Sequence, residues 1–121
     1  MRFWELVSAY RSEALMLQRL LDTERWRTPY GHWLEELDRL LNEQRRDVLD
    51  ADVPVELARA AAAESSMTFS LDADGWLRKD DSVARRSKRQ TVTALEVHDR
   101  YGGSIIEEVL EYGSAFVDNR Q

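Results

Sequence analysis

Residues 2–22, RFWELVSAYRSEALMLQRLLD, decide how the rest of this chain is read. Phe3, Val7, Tyr10, Ala14, Leu17 and Leu21 recur at alternating steps of four and three, which lines one face of an α-helix. Leu6 and Leu20 widen that stripe, while Arg2, Glu5, Ser12, Glu13 and Arg19 fall elsewhere on the helix. A stripe this broad belongs to the core of a bundle; a two-helix seam needs less. The spacing therefore predicts one continuous helix over 2–22 and an all-helical neighbourhood to receive it.

Outward from there, Asp22 to Arg27 is a polar connection holding one large aromatic, Trp26. Thr28-Pro29 has the form of an N-cap followed by proline at the first helical position, where the missing N–H costs nothing. A second helix is expected from Pro29 to Leu49, with Tyr30, Trp33, Leu34, Leu37, Leu40 and Leu41 on its apolar face. Its short link to the first makes the two an antiparallel pair. Pro54 opens a third helix through Glu64, rich in alanine and so able to approach a neighbour closely.

At Met67 the period changes. Met67, Phe69 and Leu71 alternate with Thr68 and Ser70, the turn-forming Asp72-Ala-Asp-Gly75 follows, and Trp76-Leu77-Arg78 resumes. This predicts a β-hairpin of 67–71 and 76–79. Asp81 or Ser82 is expected to cap a helix ending at Gly102, although Thr91, Val92, Thr93 and Val97 would also suit a strand beside the hairpin. Ser104 is expected to cap a last helix to Tyr112, closed by Gly113. The fold expected is mainly α: a single globular domain over 1–121, a bundle of four to five helices with a small β-hairpin around 67–79.

The chain has 121 residues, enough for one compact core, with 43% hydrophobic and 33% charged residues. The absence of cysteine excludes disulfides, thiolate metal sites and cysteine nucleophiles. The N-terminus has no signal-peptide layout, no apolar run is long enough to span a bilayer, and a soluble, cytoplasmic protein is expected. The net charge of −6 disfavours phosphate-backbone binding and suits a basic protein partner. Arg85-Arg86-Ser-Lys88-Arg89 is the one basic cluster, without interleaved aromatics for base stacking.

Catalytic chemistry finds few candidates. His32 and His98 do not make paired-histidine metal spacings, no Gly-x-Ser-x-Gly elbow presents a serine, and Gly102-Gly103 lacks a phosphate-loop pattern. Asp72-Ala-Asp74-Gly75 opens like a calcium loop, but its glycine comes two positions early and position twelve is Val83. Glu107-Glu108-Val-Leu-Glu111 and Glu35-Glu36-Leu-Asp38 place acids on one helix face each. The two stretches resemble the helix motifs of the all-α nucleotide pyrophosphohydrolases, in reversed order along the chain. That resemblance implies magnesium held against a triphosphate. The residues themselves nominate no catalytic, cofactor-binding or metal-ligating position, and no enzyme is expected.

Two features favour protein recognition. Residues 35–56 and residues 96–118 each carry a net charge of −5, and Trp26 and Trp76 fall in a loop and beside a turn. Exposed aromatics with acids nearby have the composition of interface anchors and steering charge. The expected partner-binding residues are therefore Trp26, Glu35, Glu36, Asp38, Trp76, Glu107, Glu108 and Glu111. The function expected is that of a small acidic immunity protein or antitoxin, which binds a basic toxin domain stoichiometrically. A helical adaptor is the alternative, and the magnesium-dependent nucleotide hydrolase the third.

Overall fold

The computed structural model describes residues 2–30, 52–79 and 90–117. The chain divides into two compact units, residues 1–65 and 66–121.

In the first unit the expected helix over 2–22 is broken. Helix α1 (Phe3–Ala9) ends at Tyr10, a 3-10 turn covers Arg11–Glu13, and α2 runs Ala14–Leu21. Arg11 and Ser12 are exposed, and serine is a poor interior helix former, which weakens a regular path there. A 3-10 turn advances ~120° per residue against ~100° in an α-helix, which rotates α2 relative to α1. Phe3, Leu6, Val7 and Tyr10 are nevertheless buried together with Leu17, Leu20 and Leu21. Burial pushes the phenol of Tyr10 well above its usual range, and the nearby Glu13 adds to the effect.

The expected polar connection is also helical. Helix α3 (Glu24–Tyr30) starts directly after Thr23, whose carbonyl accepts from the Trp26 and Arg27 amides at 3.0 and 2.8 Å. Pro29 therefore lies inside this helix and is not the first residue of the next; its ring removes the amide that would bond the Arg25 carbonyl. The guanidinium of Arg27 reaches back to the Asp22 carbonyl at 2.8 Å, satisfying an orphan acceptor at the end of α2. The remainder of the expected second helix, 31–49, lies outside the described residues. Helix α4 (Val55–Glu64) stands where expected and packs against α2, with Leu57, Ala58, Ala61 and Ala62 buried.

The second unit overturns the expectation of a bundle of four to five helices with a small hairpin. Strands β1 (Thr68–Leu71) and β2 (Trp76–Lys79) form the hairpin, but as the middle pair of a four-stranded antiparallel sheet. Strand β3 (Gln90–Thr93) pairs with β1, and β4 (Ala115–Phe116) with β2, giving the order β3-β1-β2-β4. Helices α5 (Ala94–Tyr101) and α6 (Ser104–Tyr112) complete the unit. Among the described residues the fold is thus mainly α, with six α-helices and this sheet.

The expected helix over 81–100 gives way to strand at 90–93 because Thr91, Val92 and Thr93 find β1 as a partner, with Phe69 opposite Val92. Thr93 then caps α5: its hydroxyl accepts from the Glu96 amide at 3.1 Å, and the Glu96 carboxylate turns back to the Thr93 amide. Residues 81–89 lie outside the described residues. Gly103, not Ser104, is the N-cap of α6, while Gly113 closes it in the left-handed conformation. Helix α6 contacts β2 and β4. Phe69, Leu71, Leu77, Val92 and Ala115 share one sheet face by register and are buried, as are Val97, Ile106 and Val109 of the helices. The sheet is therefore two-sided, with helices on the apolar face and Thr68, Ser70, Trp76, Arg78, Thr91, Thr93 and Phe116 on the other.

Candidate functional site

The aromatic corner of that second face is the most distinctive surface in the described residues. Trp76 opens β2 and lies opposite Phe116 in β4. The two rings meet edge to face, 5.5 Å between centroids and 69° between planes, a pairing worth ~0.5–1.5 kcal/mol beyond burial. Trp76 remains 40% exposed and Phe116 56%. Large aromatic side chains are thus left at the surface in a fixed mutual geometry.

The turn before Trp76 sets that geometry. Asp72 is its hub: one carboxylate oxygen accepts from the Asp74 and Trp76 amides, each at 3.0 Å, and the other pairs with the Arg78 guanidinium at 3.0 Å. These contacts, led by the Trp76 amide, hold the Asp72 carboxyl below the usual carboxylate range against a smaller desolvation effect. Gly75 adopts φ +97°, and a Cβ there would lie 2.7 Å from the Val117 carbonyl oxygen and 3.1 Å from the Phe116 ring. Only glycine allows β4 to close on the turn, and the Val117 amide then donates to the Gly75 carbonyl at 2.8 Å.

The expected partner-binding residues separate. Trp76 stands at this corner. Trp26 does not: it is 8% exposed in α3, under the Arg25 guanidinium 4.6 Å from the ring centroid and beside Tyr30 at 6.2 Å. Helix formation through residues 24–30 turned its indole inward, so it offers no docking surface in the folded chain. Glu107, Glu108 and Glu111 lie on α6. Ile106 and Val109 point into the core, so helical spacing sends Glu108 and Glu111 outward, with Glu107 half-buried at the flank. Those acids are on the helix layer, across the sheet from the Trp76–Phe116 pair. Glu35, Glu36 and Asp38, with Arg85–Arg89 and His32, lie outside the described residues.

Phe116 escaped the sequence reading, because a two-residue strand after a helix has no periodicity to announce it. Its only signal is the alternation of Ala115, Phe116 and Val117, buried, exposed and buried. Ser70, at the centre of the same face, is buried with a hydroxyl that has no hydrogen-bond partner among the described residues. In the first unit, an open hollow of about 360 Å³ lined by Leu15, Gln18, Arg19 and Asp22 lies along α2. Within the described residues there is no group of three or more His, Asp or Glu placed to hold a metal ion, and no helix long and apolar enough to cross a membrane. The His98 imidazole lies 3.4 Å from the Asp99 carboxylate. Among the described residues the corner presents two exposed rings beside a hydrogen-bonded turn. Comparisons with protein-family models, with curated proteins and with solved structures find no match to this chain.

Proposed function

We propose that this protein works by stoichiometric binding of another protein, with Trp76 and Phe116 as its anchors. The observation that carries the reading is the exposed, pre-set ring pair on a sheet face. Tryptophan is enriched among residues that dominate binding energy, and rings already fixed by a turn and an edge strand lose little freedom on docking. Size, acidity and the lack of cysteine further suit a cytoplasmic immunity protein or antitoxin that blocks a basic toxin domain.

The test is recovery of a one-to-one partner from the native cell by the wild type, followed by measurement of dissociation for Trp76→Ala and Phe116→Ala. Each truncation is expected to speed dissociation by ~30-fold, corresponding to ~2 kcal/mol for an anchor. If the partner is a toxin, both variants also lose the ability to protect cells that express it. Unchanged dissociation for both variants, with their circular dichroism intact, refutes the assignment of the corner.

A further inference from the structure

The geometry points to Tyr112 as an acceptor for phosphorylation by an acid-directed tyrosine kinase, the phosphate acting to loosen the Trp76–Phe116 corner. Tyr112 ends α6 and is 73% exposed, more than any other large apolar side chain of the described residues. The other tyrosines present less: Tyr10 is 1% exposed, and Tyr30 and Tyr101 are partly covered. Its phenolic oxygen is thus the most open aromatic nucleophile among them. Glu111, Glu108 and Glu107 precede it at one, four and five positions, and Gly113 follows in open space with φ +86°.

In the reaction the phenolic oxygen forms a bond to the γ-phosphorus of a nucleoside triphosphate. The bond from that phosphorus to the bridging β-phosphate oxygen breaks, the nucleoside diphosphate leaves, and the phenolic proton passes to the kinase's base. The product carries ~1.5–2 negative charges at neutral pH. Those charges fall at a helix C-terminus, where the macrodipole disfavours anions, and one turn from Glu108, a like-charge i,i+4 pair. Three residues separate Tyr112 from Phe116; the Gly113 amide bonds the Val109 carbonyl at one end, and the short β4 pairing and the Val117–Gly75 bond hold the other. Fraying the last turn of α6 therefore removes one of the two holds on β4 and loosens Phe116 against Trp76.

What the switch controls rests on the docking role proposed above, but its test needs no partner, so either can fail alone. The full chain, Tyr112→Phe and the double variant Glu108→Gln/Glu111→Gln are treated with an acid-directed tyrosine kinase and magnesium ATP. Phosphate is mapped by mass spectrometry, and amide exchange is compared before and after modification. Expected are phosphate on Tyr112, none at that position in Tyr112→Phe, and an initial rate roughly tenfold lower in the double variant, the kinase's acid preference being the cause. Exchange at Ala115–Val117 should rise about tenfold while Phe69–Leu71 stays unchanged. Equal or faster labelling of Tyr30 or Tyr101, no labelling at all, or unaltered exchange in the phosphorylated chain overturns the proposal.

Discussion

Replacing Gly75 by alanine tests how the aromatic corner is built. At φ +97° an L-residue carries a strain of ~1–2 kcal/mol. The new methyl also meets the Val117 carbonyl oxygen at 2.7 Å and the Phe116 ring at 3.1 Å, so β4 must move away from the turn. That movement breaks the bond from the Val117 amide to the Gly75 carbonyl, ~0.5–1.5 kcal/mol, and disturbs the ring pair, another ~0.5–1.5 kcal/mol. Gly75→Ala should therefore cost about 2–5 kcal/mol. Gly113→Ala is the control: φ is +86° but nothing lies within 4 Å of its added carbon, so only the ~1–2 kcal/mol of strain applies. Urea unfolding followed by circular dichroism gives both values, and amide exchange at Val117 locates the damage. Equal destabilisation by the two substitutions, with Val117 still protected in Gly75→Ala, would show that the close approach of β4 to the turn is not real.

Four further outcomes are expected. Phe69→Ala, at a fully buried central position of the sheet, should cost ~3–5 kcal/mol in the same urea assay. Thr93→Ala removes the cap of α5 and should cost ~1 kcal/mol, with the loss of protection confined to the first turn of that helix. The lowered carboxyl of Asp72 contributes stability that is present above its unfolded-state pKa and disappears as pH falls through the folded value; the wild type should weaken below about pH 4 by a component that Asp72→Asn lacks. With magnesium, the purified protein should not hydrolyse nucleoside triphosphates, and turnover abolished by Glu108→Gln would reverse that reading.

What the sequence disclosed was local. Helices α4 and α6 and the hairpin were legible because each is specified by its own residues: an alanine run after Pro54, Ile105 to Tyr112 before a glycine, and alternating apolar residues around Asp72-Ala-Asp-Gly75. Strand β3 was ambiguous, since Thr91 to Thr93 fit either state until β1 lies beside them. Strand β4 was invisible because two residues show no period. The break at Tyr10 was hidden in a stripe that satisfies helical spacing from end to end. For the site the same division holds. Trp76, read beside a turn, stands exposed there, whereas Trp26, read in a polar connection, is buried in a helix, and nothing local pointed to Phe116.

The structure also separates two groups of residues that the proposed docking role would draw on. In the described residues Glu108 and Glu111 of α6 project from the outer side of the helix layer, and the Trp76 and Phe116 rings lie on the far side of the sheet. A helix is ~10–12 Å across, so these charges stand more than a Debye length, ~8 Å at physiological salt, from a partner seated on the corner. Their field there is largely screened. A partner that docks on Trp76 and Phe116 alone should therefore be indifferent to Glu108→Lys/Glu111→Lys at physiological salt, with association changed by less than about twofold, and should respond only in dilute buffer, where the Debye length grows to ~30 Å. A large effect at physiological salt would place the partner around the edge of the unit, touching both layers. The salt series thus distinguishes a face-on footprint from a wrapped one before any complex is solved.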